Sequence, residues 1–314
     1  MRTYTNPVWP SYFADPAVSR FGHRYYVYGT TLRDRGTVDA LTSRNLVDWE
    51  PLGQVLEPVA GEGPCYWAPE VAFADGAYWL YFSVGGAAGE GHRVRVATAD
   101  RPEGPFHDTG TVLVPAQDFS IDAHPLRDED GTWWLYYCRD FLEGDRVGTG
   151  IEVDRLLDMR TLAGEPRVAV RPHADWNLFE AGRRWRGRVQ DWYTVEGPFV
   201  RRRDGRYWLF FSGGAWPKPG YGLGCAVAEH PAGPYVTTRT AHGPDLLRTV
   251  PGKVVGPGHG SVATGPDGRT DYLVYHAWDA AQTARLMRVD RLDWTPEGPV
   301  TDGPTLEPRP VPDG

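Results

Sequence analysis

A short aromatic strand recurs five times along the 314-residue chain, and this repeat limits the fold more than any other feature. Each copy alternates with period two and follows a turn, which in three copies contains an Asp-Gly pair such as Asp204-Gly205. The copies span residues 24–29, 77–82, 132–137, 206–211 and 271–276. A second short strand precedes each turn, and two further strands follow each copy. The pattern therefore predicts five repeats of four antiparallel strands.

Repeats of this size and content are typical of an all-β, five-bladed β-propeller. A single four-stranded blade cannot bury both of its faces, so blades pack face to face around an axis. No Ser-, Gly- or Pro-rich linker divides the chain, and we predict that residues 1–314 form one domain without a C-terminal β-sandwich. A β-sandwich with a second domain is the structural alternative. The longest interruption, residues 172–190, is expected to be a loop on one face.

Charge and hydropathy exclude several kinds of partner. The chain has 33 basic and 41 acidic residues, a net charge of −8, which argues against binding nucleic acid or an anionic membrane surface. The N-terminal residues lack the apolar core of a signal peptide, and no stretch is long enough to span a bilayer. We therefore expect a cytoplasmic protein. Cys65, Cys138 and Cys225 are odd in number and widely spaced, which predicts buried free thiols.

Ionisable residues recur near the start of each repeat. In a propeller, equivalent positions of the innermost strands converge at one end of the central channel, so these side chains should lie close together. They are Asp15, Glu70, Asp122, Glu196 and His259. Crowded carboxylates raise one another's proton affinity, so at least one should keep its proton near neutral pH. A protonated acid beside an ionised base is what cleavage of a glycosidic bond needs.

Four short motifs lie in order along the chain, each in phase with its repeat. They are Asn6-Pro7 with Asp15-Pro16, Trp67-Ala68-Pro69-Glu70, Ser120-Ile121-Asp122, and Glu196-Gly197-Pro198. Together they resemble the pattern of glycoside hydrolase family 43, over essentially the whole chain. The resemblance implies a five-bladed propeller enzyme that hydrolyses arabinose- or xylose-containing glycans with inversion. It implies no required cofactor.

The resemblance also implies roles for individual residues. Asp15 would be the general base that activates water, Glu196 the general acid, and Asp122 the residue that orients Glu196 and raises its pKa. Inversion needs the base and the acid roughly 6.5–9.5 Å apart, which leaves room for a water molecule. Carboxylates on different blades suit that separation.

Four further residues are candidate substrate contacts. Trp67 could present its ring to a sugar, or pack between blades instead. Glu70 would contact substrate or support the other acids. Arg285 resembles an arginine that reaches the sugar or a carboxylate, with a solvated surface position as the alternative. His259 resembles an axial histidine that in some family members holds a water or a structural calcium ion; a hydrogen-bonded core histidine is the alternative.

Several activities remain open at this stage. We expect an exo-acting α-L-arabinofuranosidase, with β-xylosidase or endo-arabinanase of the same family as alternatives. A retaining five-bladed fructan hydrolase is a more distant alternative, because its Asn-Asp-Pro-Asn and Glu-Cys segments do not occur here. A non-catalytic, carbohydrate-binding propeller would use the same aromatic residues without acid–base chemistry.

Overall fold

The computed structural model describes residues 2–31, 36–86 and 91–313 as an all-β protein. Five antiparallel sets of strands follow one another along the chain, and we call them blades I to V. Blades I, II and V are separate four-stranded sheets, while III and IV join into one larger sheet through a short parallel pairing. The helices of the described residues are two 3₁₀ turns, Asp175–Asn177 and Thr240–His242. None of the described helices is long and apolar enough to cross a bilayer.

Within each blade, consecutive strands pair with one another. The first, or inner, strands are Ala14–Phe21, Cys65–Ala74, Ser120–Arg127, Arg188–Arg203 and Val254–Thr264. The second strands are Arg24–Thr30, Ala77–Gly85, Trp133–Phe141, Arg206–Gly213 and Asp271–Asp279. The third strands are Asp39–Ser43, Arg93–Ala99, Gly148–Asp158, Gly222–Ala228 and Arg285–Thr295. The outer strands are Trp49–Gln54, His107–Val112, the split pair Thr161–Leu162 and Arg167–Val170, Val236–Thr237 and Gly298–Val300.

Five hydrophobic cores, one between each pair of neighbouring blades, close the sets of strands into a ring. Alternate residues of one strand face different cores because side chains alternate across a sheet. Tyr25 and Val27 pack between blades V and I, whereas Tyr26 and Tyr28 pack between I and II. The remaining cores lie between II and III, III and IV, and IV and V. Each inner strand also contacts the inner strands of both neighbouring blades, as the predicted propeller requires.

The two ends of the described chain meet beside blade V. The strand Thr3–Tyr4 pairs with Arg309–Pro310. Asn6 is buried, and its side-chain amide bonds the backbone of Val289 on the third strand of blade V in both directions, at 3.0 and 2.8 Å. This pairing links the segment before blade I to the segment after blade V.

The prediction of a loop over residues 172–190 was wrong. After the 3₁₀ turn, the strand Leu178–Trp185 pairs with the first half of Arg188–Arg203 to form a hairpin. Its two-residue turn, Arg186-Gly187, has positive φ at both positions, which is the geometry that matches the twist of paired strands. The sequence does not predict this turn, because arginine is an unusual residue at the first of its two positions.

Candidate active site

A two-residue bulge interrupts every inner strand at the same place and turns side chains toward the channel. The first residue of each bulge has a positive φ, from 42° to 59°. These residues are Asp15, Ala68, Asp122, Gly197 and His259. Positive φ is unfavourable for residues other than glycine, and bulges commonly redirect side chains at functional sites. Three of the predicted site residues therefore occupy the bulge itself.

The other two carboxylates, Glu70 and Glu196, lie close to the bulge of their strands but not within it. Glu196 lies immediately before its bulge, and Glu70 lies immediately after its own. Glu196 is directed to the same end of the channel as Asp15, since its partner Tyr221 stacks on His276, which contacts Asp15. Glu70 lines a different space, described below.

Asp15 is buried and surrounded by cationic and polar groups. Its Oδ1 atom lies 3.2 Å from Nη1 of Arg285, 3.1 Å from Nδ1 of His276 and 3.4 Å from Nδ1 of His259. Burial alone would raise the pKa of Asp15, but Arg285 and the two histidines outweigh it and hold that pKa well below its usual value. Asp15 is therefore ionised across the physiological pH range.

The pKa values of Asp122 and Glu196 are shifted in the opposite direction from that of Asp15. The carboxylate of Glu196 is enclosed by protein except for a small accessible surface, and this burial, together with the charge of Asp15, raises its pKa to about 7. Burial and the charges of Glu196 and Asp15 raise the pKa of Asp122 well above its usual value. Because the two groups interact, they titrate as a pair, and the pair keeps a proton near neutral pH.

Hydrogen bonds fix both members of this pair. The Tyr221 hydroxyl donates to Oε1 of Glu196 at 2.8 Å, and the backbone N–H of Gly197 donates to Oδ2 of Asp122 at 3.0 Å. Tyr221 is buried on the loop that precedes the third strand of blade IV. These bonds limit the rotation of the two carboxyl groups.

Arg285 is enclosed by aromatic side chains. Its guanidinium lies 4.6 Å from the ring centre of Trp216, 5.4 Å from that of Tyr12 and 5.9 Å from that of Trp278. Nε of Arg285 also donates to the Tyr12 hydroxyl at 3.0 Å. Trp216 and Trp278 stack on each other with centroids 5.8 Å apart and remain partly exposed. Arg285 is thus a buried partner of Asp15, not a solvated surface residue.

Sequence reasoning missed His276 and Tyr221. His276 is fully buried, and its Nδ1 atom lies 3.0 Å from the backbone N and 3.1 Å from Oδ1 of Asp15. Burial lowers its pKa to about 4, so the ring is neutral near pH 7. Both residues act across more than twenty positions of sequence, and the one local signal was that the fifth aromatic strand ends in a histidine.

Trp67 and Glu70 lie in different settings. Trp67 is partly buried, and its ring stacks on His92 with centroids 3.5 Å apart. Glu70 lines a cavity of about 380 Å³ together with His124, Ser19 and other channel residues. Nδ1 of His124 donates to Oε2 of Glu70 at 2.7 Å, because Nε2 accepts the N–H of Val200. Glu70 is therefore held by a hydrogen bond from His124 inside the channel.

The predicted calcium ion near His259 has little direct support from side chains. Within the residues described, no group of three His, Cys, Asp or Glu side chains converges in a way that could hold a metal ion. Burial lowers the pKa of His259, which leaves a neutral ring next to the cationic Arg285. An ion there would need mainly water ligands, and it stays a prediction.

The arrangement combines an ionised carboxylate with a carboxyl pair that retains a proton. Asp15 can accept a proton from water, and Glu196 can donate one to a departing oxygen. These are the two proton transfers of glycoside hydrolysis by general acid–base catalysis. The aromatic rings beside Arg285 offer apolar faces of the kind that pack against sugars.

Comparison with known proteins agrees with this chemistry. The family model "Glycosyl hydrolases family 43" matches residues 4–300. A β-D-galactofuranosidase of Aspergillus niger is 31% identical over 309 residues, covering 92% of this chain and 80% of that protein. An extracellular exo-α-(1→5)-L-arabinofuranosidase of Cellvibrio japonicus is 28% identical, covering 90% of this chain and 84% of that protein.

The fold comparison leads to the same family. A solved structure of a thermostable family-43 glycoside hydrolase superimposes with a TM-score of 0.83 at 33% sequence identity, covering 99% of this chain and 100% of that one. The match therefore includes nearly every residue of both chains. The chain therefore belongs to glycosyl hydrolase family 43, a family of inverting glycoside hydrolases.

Proposed function

We propose that this enzyme is an exo-acting α-L-arabinofuranosidase that cleaves arabinose-containing oligosaccharides. Asp15 is the general base, Glu196 is the general acid, and Asp122 orients Glu196. The observation that carries the assignment is the contrast in protonation: the pKa of Asp15 is held well below its usual value, while that of Glu196 is raised to about 7. A base needs the first property and an acid needs the second.

The reaction is a single displacement at the anomeric carbon. Asp15 takes a proton from a water molecule as the water oxygen bonds to that carbon. The bond to the leaving oxygen breaks on the opposite face, and Glu196 delivers its proton to that oxygen. The configuration inverts, and a proton exchange through solvent then restores Asp15 and Glu196 to their starting states. Arg285 keeps Asp15 ionised and anchored, and the Tyr221 hydroxyl holds Glu196 in place.

The sugar is proposed from the relatives and from stereochemistry. Both of the relatives described above are named as furanosidases, one for α-L-arabinofuranosides and one for β-D-galactofuranosides. These two sugars share the configuration of every ring carbon and differ in the group attached to C4. A pocket that recognises one ring therefore accepts the other, unless it restricts the space beyond C4.

A β-D-galactofuranosidase is accordingly the second candidate, favoured by the 31% identity to the Aspergillus niger enzyme. The β-xylosidase and endo-arabinanase alternatives stand behind it. A β-xylosidase would need a pocket shaped for a six-membered ring, and an endo-arabinanase would need a cleft open at both ends.

The test compares initial rates on a panel of substrates at equal concentration. The panel contains the 4-nitrophenyl glycosides of α-L-arabinofuranose, β-D-galactofuranose and β-D-xylopyranose, together with linear arabinan. Asp15→Asn serves as the matched inactive control, because it keeps the size of the side chain and removes the base. A rate on the arabinofuranoside at least tenfold above the others, absent in Asp15→Asn, supports the proposal.

The other outcomes reassign the enzyme. Preference for the galactofuranoside establishes the second candidate, and preference for the xyloside establishes a β-xylosidase. Cleavage of arabinan into oligosaccharides without release of arabinose identifies an endo-arabinanase. Binding of these sugars with no turnover on any of them would contradict the enzymatic assignment.

A further inference from the structure

Four of the five junctions between blades share one hydrogen bond. In each, the backbone N–H of the first bulge residue donates to a side chain on the second strand of the preceding blade. The bonds run from Ala68 to Thr30 Oγ1 at 2.8 Å, from Asp122 to Ser83 Oγ at 3.0 Å, from His259 to Ser212 Oγ at 2.7 Å, and from Asp15 to His276 Nδ1 at 3.0 Å. Each acceptor pairs with the residue just before the bulge of its own blade.

The junction between blades III and IV departs from this rule. Cys138 occupies the acceptor position there, because it pairs with Ile121, the residue before the bulge of blade III. A thiol sulfur is a weak hydrogen-bond acceptor. The bulge N–H of this junction belongs to Gly197, and it donates to Oδ2 of Asp122 instead. A carboxylate of the active site therefore takes the place that a hydroxyl or imidazole takes elsewhere.

Gly197 is itself required by this junction. Its φ is 59°, and a Cβ atom there would lie 3.0 Å from the ring of His259. Glycine allows the bulge to approach His259 and keeps its N–H directed at Asp122. Glu196 immediately precedes this bulge, so the proposed acid and the donor that holds Asp122 are consecutive residues.

Cys138 contacts the same carboxylate oxygen. It is fully buried, and its Sγ atom lies 3.9 Å from Oδ2 of Asp122. Burial and the nearby carboxylates raise the pKa of the thiol well above its usual value, so the sulfur stays protonated. The sulfur also lies within reach of the N–H of Gly197, but a thiol is a weak acceptor, so Asp122 is the stronger partner of that N–H.

We propose that Cys138 is a positioning residue. Because its sulfur is a weak acceptor, the N–H of Gly197 remains available to hydrogen-bond Asp122. The bond to Gly197 sets the rotation of Asp122 and therefore its position beside Glu196. This inference rests on the proposed roles of Asp122 and Glu196, and it adds a reason why Asp122 adopts its orientation.

The test compares Cys138→Ser with Cys138→Ala. Serine places a hydroxyl at the position that binds the bulge N–H in three other junctions, so it should capture the N–H of Gly197 and free Asp122. Alanine offers no acceptor and leaves that bond intact. We expect kcat of Cys138→Ser to be about tenfold below that of Cys138→Ala, with equal KM, since small misplacements of catalytic groups have effects of this size or larger.

A role in packing alone predicts the reverse order, because alanine leaves a larger void than serine. Rates equal in the two variants, or lower in Cys138→Ala, would overturn the proposal. Thr30→Cys is the matched control: it removes the acceptor at a junction without a carboxylate, and it should lower stability while kcat is maintained. If Cys138→Ser does not fold, Cys138→Thr supplies the same hydroxyl in a residue suited to strands.

A crystal structure of Cys138→Ser provides a readout independent of activity. We expect the serine Oγ within about 3 Å of Gly197 N, the normal hydrogen-bond distance, and Asp122 rotated away. Retention of the bond from Gly197 to Asp122 in that structure would refute the positioning role. Failure of the wild type on every glycoside would instead refute the proposed function and leave this structural result unaffected.

Discussion

The assignment of acid and base depends on the surroundings of individual carboxyl groups. Asp15 and Glu196 are both enclosed, yet their pKa values move in opposite directions. Arg285 and two imidazoles contact Asp15 directly, whereas burial and the charge of Asp15 outweigh the more distant Arg285 at Glu196. The Tyr221 hydroxyl is the hydrogen-bond donor to Glu196, and donation to a carboxylate favours its ionised form. The position of the alkaline limb of activity should therefore depend on Tyr221.

We predict that kcat/KM on arabinobiose falls as pH rises through about 7, where Glu196 loses its proton. Tyr221→Phe removes a bond that lowers the pKa of Glu196, so the limb should move to higher pH. The measurement is the pH profile of kcat/KM for both enzymes between pH 4 and 10. Tyr207→Phe, which removes a hydroxyl bonded to the distant Asp128, should leave the profile unchanged. A limb that stays in place or moves to lower pH in Tyr221→Phe argues against Glu196 as the acid.

The sequence predicted the carboxylates, Arg285 and His259, but it missed His276 and Tyr221. Asp15, Asp122 and Glu196 stand in local motifs that repeat in phase with the blades, so their convergence follows from the repeat. His276 reaches Asp15 across 261 residues, and Tyr221 reaches Glu196 across 25. No local pattern encodes such contacts, because they depend on how neighbouring blades pack.

At the scale of elements, the bulge is the feature that makes the site. It occurs in all five inner strands, including blade II, where Ala68 occupies the first position with φ at 42°. A left-handed conformation costs a non-glycine residue roughly 1–2 kcal/mol. The blades thus retain a strained backbone even where no ionisable side chain benefits from it.

We expect Ala68→Gly to increase the free energy of unfolding by about 0.5 kcal/mol, because relief of strain slightly exceeds the added entropy of the unfolded chain. Gly197→Ala should decrease it, since its Cβ would meet the His259 ring. Urea denaturation measures both. Ala72→Gly, at a position of the same strand without positive φ, is the control and should be destabilising. A destabilised Ala68→Gly would show that the bulge is not strained.

The hairpin that begins with the strand Leu178–Trp185 could not be predicted from the repeat pattern. The aromatic strands were recognisable because five copies could be compared with one another. The hairpin occurs once, and its turn lacks the usual Asn-Gly or Asp-Gly pair. Its strand pairing was therefore not predicted.

At the scale of the whole molecule, the ring holds carboxylates from three different blades at fixed positions. Five cores separate the blades, so displacement of one blade disturbs two cores and the channel between them. The repeat predicted the all-β propeller fold. The pairing of Thr3–Tyr4 with Arg309–Pro310 was not predictable, because two-residue strands carry no periodicity.

Substitution of Asn6 measures how much the link beside blade V contributes to the free energy of unfolding. Its buried side chain bonds the backbone of Val289 twice and also reaches Asp290 and Thr305. We predict that Asn6→Ala lowers the free energy of unfolding by about 2–3 kcal/mol, because it leaves several buried polar groups without partners. Thr3→Ala, at an exposed position of the same segment, should change it by less than about 0.5 kcal/mol. Equal effects of the two substitutions would contradict the structural role of Asn6.

The central claim is that Glu196 protonates the leaving oxygen while Asp15 activates water. The most direct test is the dependence of rate on the leaving group. In Glu196→Ala, kcat/KM on arabinobiose should fall by about 10²–10⁴-fold, but far less on 4-nitrophenyl α-L-arabinofuranoside, whose leaving group needs little protonation. Asp15→Ala should lose both activities. Equal losses on the two substrates in Glu196→Ala, or persistent activity in Asp15→Ala, would contradict the assignment.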